Sequence, residues 1–391
     1  MLARKSLYTF SSADPTGFGH HIAAAAQEHP VYFDEGLGLP VVLRGADVVA
    51  ALKDPVTFSN RAYDMGLMKG ALVALEGEAH TRMRRLYNSF FAPRALARYE
   101  AQIVVPVVTQ VVDRLAGKQR AELIDEFATA MPIGVISALF GLPAESIHEN
   151  DALVRRMLHA IVRPGDAALV ADGWVAYEEI AGQLREISAR EIASPSDTLL
   201  GEVAKALIAE GMGTVADCER VVLTLILGSY ETTIWMLAAV LAALLAHPEA
   251  LRQVREEPAL IPGAIDEAAR WCGTSLGVVR CVEKDVKISG TDFAAGSFVF
   301  FSLTGLHYEA ATYPNPGAYE VRRRSTPMIF GLGPHYCVGA PLARMEAKIG
   351  IKMLLARFPA LRADPERTPV FSTAPRGAAT FGPDSLHALL A

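Results

Sequence analysis

The chain is poor in cysteine and in charge. Its four cysteines in 391 residues, Cys218, Cys272, Cys281 and Cys337, are scattered rather than spaced as a disulfide framework, which fits a reducing, cytoplasmic setting. Charged residues make up only 20% of the chain. Lys plus Arg total 37 against 43 Asp plus Glu, a formal net charge of -6 with no polybasic tail, so binding to nucleic-acid phosphates is not expected. Residues 1–12 hold no apolar stretch long enough for a signal peptide or anchor, and export is not expected. There is no internal repeat and no low-complexity tract. What the chain has in quantity is apolar: 51% of its residues are hydrophobic, ample for a large buried core.

One run, residues 221–246, is almost continuously apolar and long enough to cross a bilayer. Glu231 stands at its middle, where a carboxylate is costly in lipid, so the run reads as a buried core helix and no membrane contact is expected. The carboxylate then needs a purpose. Around this run, residues 30–33 and 38–43 read as a hairpin. From His80 onward the period is helical, with Met83, Leu86, Tyr87, Phe90 and Phe91 on one helix and further helices over 103–115 and 123–140. Pro164-Gly165, residues 194–197 and residues 211–213 break the helical body. After Arg270 come short strands over 278–288 and 298–303, a Pro/Gly-rich stretch over 313–333, and a last helix over 341–358. Nothing resembles an interdomain linker, so the expectation is a single domain over 1–391, mainly α with a minor β portion.

The segment from Phe330 to Gly339 is dense in glycine and precedes an apolar-periodic helix that carries Pro341, Leu342, Ala343 and Arg344. It holds the Cys337 thiol at or just before a helix start, where the helix dipole and backbone N–H groups favour a thiolate and glycines admit a flat cofactor. Taken alone, Cys337 reads as one more small buried residue, the commoner fate of a free cysteine. Zinc would need four ligands, and only His335 and Cys337 are at hand. The loop resembles the cysteine-ligand signature of cytochrome P450 enzymes at Phe330, Gly331, Gly333, His335, Cys337 and Gly339. That resemblance implies haem b (iron protoporphyrin IX), with Cys337 as the ligand of its iron.

The resemblance also implies an oxygen-activating helix upstream, and Gly228-Ser229-Tyr230-Glu231-Thr232-Thr233 occupies that place. Thr232 is four residues after Gly228, so its hydroxyl can bond that carbonyl and loosen the helix. An acid beside an alcohol can relay protons, which supplies the purpose for Glu231. The family usually has Ala-Gly where this chain has Gly228-Ser229; the added hydroxyl either contacts oxygen, water or substrate, or caps a helix carbonyl. Glu267-Ala268-Ala269-Arg270 puts an acid and a guanidinium on one helix face and resembles the family's Glu-x-x-Arg motif. The family completes that pair from a Pro-x-Arg-Phe stretch, but this chain reads Pro316-Gly317-Ala318-Tyr319, leaving Arg322, Arg323, Arg324 and His307 as candidates. His80 and Arg84 share a helix face, and by resemblance His80, Arg84, Arg280 and His335 contact the haem propionates.

Covering nearly the whole chain, the resemblance implies the cytochrome P450 fold, with haem between the distal helix and the helix after the cysteine loop. It implies a monooxygenase that inserts one atom of O2 into a largely apolar small molecule by hydroxylation or demethylation, with Glu231 and Thr232 catalytic. Electrons would come from a separate ferredoxin and its reductase, and Arg82, Arg85, Arg344 and Lys348 offer an acidic ferredoxin a docking surface. By position the pocket is lined from 65–75, 157–175, 225–232, 276–279 and 378–381. Two alternatives keep the haem: a peroxide-driven peroxygenase, whose relatives typically replace the acid and alcohol, and a non-enzymatic haem-thiolate sensor, which needs no proton relay.

Overall fold

The computed structural model describes residues 3–391 except 5, 7–8, 143–146, 163–165 and 374–379; of 3–4, 147–151 and 162 it describes the backbone alone. Helices dominate, and the longest is Val215–Ala246. Its start is fixed by Thr214, whose hydroxyl accepts the Asp217 N–H at 3.1 Å, satisfying one of the donors a helix N-terminus leaves free. It stops before His247, and Pro248 opens the next helix, Pro248–Glu256, in the first turn where proline is tolerated. Helices Ala130–Phe140, Ala167–Ala193, Leu199–Ala209, Ile261–Cys272 and Ala340–Arg357 pack around the long helix. Its most apolar window is 78% buried within the protein. Apolar residues all round therefore mark a core helix, as a helix wrapped by others requires.

The helices expected over 103–115 and 123–140 each open with a wider turn. π-helical segments Glu100–Val104 and Ile124–Thr129 lead into Val105–Arg114 and Ala130–Phe140. Pro106 and Pro132 follow these segments closely, and a proline has no N–H for the i→i−4 bond. The break at Ser194–Asp197 leads to Thr198, which caps Leu199–Ala209 through Gly201 N–H at 3.1 Å. Pro164-Gly165 lies outside the described residues.

The early hairpin is formed by Val31–Asp34 and Leu39–Val42, with Val31 opposite Val42. These strands join a six-stranded sheet in the order Ala3–Arg4, Val31–Asp34, Leu39–Val42, Phe298–Ser302, Gly277–Val282, Phe58–Ser59. Phe300 lies beside Val41 in parallel register and opposite Val279 in antiparallel register. The sheet thus ties the first sixty residues to the segment just upstream of the cysteine loop. Val42, Val48, Leu52, Val299, Phe301 and Met328 bury together between them.

Behind the cysteine loop lies a buried polar knot. Arg270 donates from Nε and Nη2 to the two carboxylate oxygens of Glu267, each at 2.8 Å, and both side chains are fully buried. Its remaining donors reach the carbonyls of His307, Pro316 and Ala318 at 3.2, 2.7 and 2.9 Å. Arg323 is the third partner, its Nε donating to Glu267 at 3.0 Å. Arg322 pairs with Glu257 instead, and the His307 ring accepts the Met328 N–H at 2.7 Å. This knot fixes the Pro/Gly-rich approach to Cys337.

Candidate active site

A cavity of about 450 Å³ runs between the middle of the long helix and the start of Ala340–Arg357, within the usual range for small-molecule sites. Cys337, Val338, Gly339, Leu342 and Ala343 line one side; Gly228, Ser229, Glu231 and Thr232 line another. Helix spacing brings each group there: 228, 231 and 232 share one stripe, and 339, 342 and 343 share another.

The cysteine loop is held from several directions. Cys337 N–H donates to Phe330 O at 2.8 Å, and Tyr336 N–H to Gly333 O at 3.1 Å. Arg84 donates to Tyr336 O at 2.5 Å, and the Arg344 guanidinium lies 4.3 Å from the Phe330 ring centre. Gly331 and Gly333 do not face the cavity. Both have φ near +70°, and a Cβ at Gly333 would fall 2.3 Å from Leu52 O, so this glycine serves close packing of the loop on the preceding helix, Gly45–Lys53. Burial pushes the Cys337 thiol above its ordinary pKa, against the pull of the Gly339 and Ala340 N–H groups, Arg84 and Arg344. A coordinating cation would reverse that balance by deprotonating the thiol outright.

On the long helix, Thr232 Oγ1 donates to Gly228 O at 2.8 Å, yet the helix stays α-helical from Val215 to Ala246 and is not loosened. Ser229 Oγ donates to Leu225 O at 2.5 Å, so its hydroxyl caps a helix carbonyl. Burial lifts the Glu231 carboxyl to about 7, with Arg155 pulling it back.

His80 and His335 lie against each other with ring centres 4.3 Å apart and ring planes tilted by 46°. Burial, with His335 and Arg84 acting in the same direction, lowers His80 to about 4, and its buried Nε2 has no hydrogen-bond partner. His335 Nε2 approaches Glu76 Oε2 at 3.3 Å. His80, Arg84, His335 and Cys337 all line the cavity; Arg280 does not. It is buried behind that wall, where burial lowers its pKa and Tyr63 and Glu76 counter the shift.

The cytochrome P450 family model matches residues 204–380. A C-19 steroid 1alpha-hydroxylase of Sorangium cellulosum (strain So ce56) is 47% identical over 387 residues, 98% of each chain. Cytochrome P450 107B1 of Saccharopolyspora erythraea is 32% identical over 285 residues, 72% of this chain and 68% of its own. The chain belongs to the cytochrome P450 family. The structure of Sorangium cellulosum So Ce56 cytochrome P450 260B1 matches it over 100% of both chains, with 60% identity and a TM-score of 0.96. As a cytochrome P450 it is a haem-thiolate monooxygenase whose cofactor is haem b.

The lining of this P450 follows the positional expectation in part. Met68, Leu72, Val73, Leu158, Ile161 and Leu225 face the cavity, whereas Met65 is 74% exposed. The expected stretch 276–279 is displaced: Thr274 and Ser275 line the cavity instead, because Gly277–Val282 is already engaged in the sheet. Thr380 also lines it, its hydroxyl bonded to Thr274 O, while Ala378 lies outside the described residues. Sequence reading missed Tyr87 and Phe91 as lining residues, although they continue the 80, 84 stripe at helical spacing. Thr224 and Glu346 were missed too; each is a polar residue on a helix whose cavity face only packing reveals.

Proposed function

We propose that this P450 hydroxylates a largely apolar small molecule, with Cys337 the iron ligand, Glu231 and Thr232 the proton path, and His80, Arg84 and His335 the contacts of the haem propionates. The observation that carries the reading is one cavity bordered by both Cys337 and the Glu231-Thr232 pair. Its residues fit the cofactor: the orphaned Nε2 of His80 is a buried polar atom that a propionate would satisfy. When bound, thiolate-ligated haem supplies oxygen activation, the thiolate favouring O–O cleavage.

The chain's own work is orientation and proton handling. Glu231, lifted to about 7, holds a transferable proton near neutral pH. The Thr232 hydroxyl must turn from Gly228 O to pass a proton into the cavity, giving up a bond worth about 1 kcal/mol. Apolar Leu72, Val73, Phe91, Leu158 and Ile161 exclude water, and the hydroxyls of Thr224, Thr274 and Ser275 punctuate that wall. The similar C-19 steroid 1alpha-hydroxylase supports C-19 steroids as the first compounds to test.

Electrons would come from a separate ferredoxin. Arg82 is held by Glu210 at 2.8 Å and Arg344 by Asp266 at 2.9 Å, so exposed Arg85 and Lys348 are the charges left for an acidic partner. Four free cysteines support a cytoplasmic setting. Retention of the acid and alcohol favours a monooxygenase over a peroxide-driven enzyme or a sensor. The test is reduced protein with carbon monoxide: a red-shifted Soret band is expected, and it should vanish in Cys337→Ala. Persistence of the band in that variant refutes the ligand assignment. Titration of a compound library containing C-19 steroids, followed by the Soret spin-state shift, then reads the substrate.

A further inference from the structure

Glu346 has no part in the chemistry above, yet it lines the same cavity on the cysteine side, one turn beyond Leu342 and Ala343. The side chain is 3% exposed, and Oε2 has no hydrogen-bond partner. Trp235 and Met236 of the long helix border the same cavity. An ionised carboxylate left unpaired in such a place is strongly disfavoured, so the group keeps its proton.

The charged groups on the elements packed against Ala340–Arg357 are occupied elsewhere. Asp266 binds Arg344, Glu267 binds Arg270 and Arg323, and Asp113 faces Arg357. Glu100 borders a separate groove with Lys348, while Glu231 lines the same cavity from the long helix. Burial alone lifts the Glu346 carboxyl, to about 8, with no charged neighbour contributing.

We propose that Glu346 is the electrostatic control of the cofactor: an acid set on the cysteine side of the pocket whose proton governs how readily the haem iron is reduced. This rests on the haem-thiolate reading of Cys337. Reduction adds one electron from the ferredoxin-type donor to iron and breaks no bond. Where Glu346 is ionised, its negative charge opposes that electron, and reduction draws one proton from solvent onto the carboxylate. A protonated Glu346 leaves the electron unopposed.

The experiment is spectroelectrochemical titration of the haem-loaded protein between about pH 6 and 9.5, comparing wild type with Glu346→Gln. Ionisation changes tenfold per pH unit, so the wild-type potential should fall above about pH 8 with a slope approaching about 59 mV per unit. Glu346→Gln should lack that component and hold the wild-type value of low pH; the difference between the two curves removes Glu231 and all other titrating groups. An unchanged fall in Glu346→Gln, or no fall in wild type, overturns the proposal. If the variant does not load haem, redox-difference infrared spectra of Glu231→Gln with carbon-13-labelled glutamate read the same proton near pH 8. A protonated carboxyl band gained on reduction upholds the proposal, and its absence overturns it. A protein without the red-shifted carbon monoxide band overturns the haem-thiolate reading and this proposal with it; a present band with no Glu346 component overturns this proposal alone.

Discussion

Replacing Arg270 by lysine keeps the charge but changes the count of donors, which makes it a sharp test of what holds the approach to the cysteine loop. The guanidinium has five N–H groups, and five bonds are present: two to Glu267 and one each to the carbonyls of His307, Pro316 and Ala318. An ammonium supplies three donors from one point, so at least two of these buried or half-buried hydrogen bonds are lost. Each costs about 1–3 kcal/mol, giving a loss of about 2–6 kcal/mol against a total stability of about 5–15 kcal/mol for a typical protein. Urea titration followed by tryptophan fluorescence measures the loss. The red-shifted carbon monoxide band measures whether the loop still presents Cys337 correctly, and both should decline together. Arg323→Lys should cost less, because Arg323 is 11% exposed and water can replace part of its bonding. An Arg270→Lys protein within about 1 kcal/mol of wild type would refute the reasoning.

Thr232→Ala should continue to consume NADPH with substrate bound, while product per NADPH falls and hydrogen peroxide rises; Ser229 cannot stand in without leaving Leu225 O, so a fully coupled Thr232→Ala/Ser229→Ala protein would rule out a hydroxyl relay. Glu231→Gln should slow turnover by about 10²–10⁴-fold. In wild type that contribution should fade as pH rises through about 7, since the raised acid loses its proton there, and a pH–rate profile identical in the variant would count against it. The same raised pKa means that the ionised carboxyl opposes folding: stability should decline as pH rises from the ordinary carboxylate range toward 7, and Glu231→Gln should remove that decline in urea titrations. Charge reversal at Arg85 and Lys348 should slow reduction by ferredoxin and weaken its salt dependence, whereas reversal at Arg344 should also disturb the loop through Asp266 and Phe330.

Much of this was legible in the sequence because it rests on local spacing. Thr232 reaches Gly228 O at four residues, Glu267 reaches Arg270 at three, and His80 and Arg84 share a helix face, all consequences of a 3.6-residue period. What depended on chain segments far apart was not legible. Arg323 rather than Arg322 or Arg324 meets Glu267 because the backbone from 316 to 320 wraps the Arg270 guanidinium, and no periodicity encodes that. The reading of Gly333 as clearance for a cofactor missed Leu52, which lies nearly three hundred residues upstream and becomes its neighbour only through the shared sheet. Thr274 and Ser275 were missed because the strand Gly277–Val282 engages the expected lining stretch in the sheet, so the residues just before it border the cavity instead.

The isolated rung between Ser275 and Thr380 joins two segments that belong to neither of the helices bordering the chemistry. Cys337, Glu231 and Thr232 are held by helices and by the Arg270 knot, so the far wall can change its side chains without disturbing them. Substrate choice and oxygen chemistry are therefore separable inheritances in this fold. A lineage can trade hydroxyls for methyls at 274, 275 and 380 and acquire a new substrate while keeping the old reaction, and a designer seeking altered regiochemistry has the same three positions to vary first.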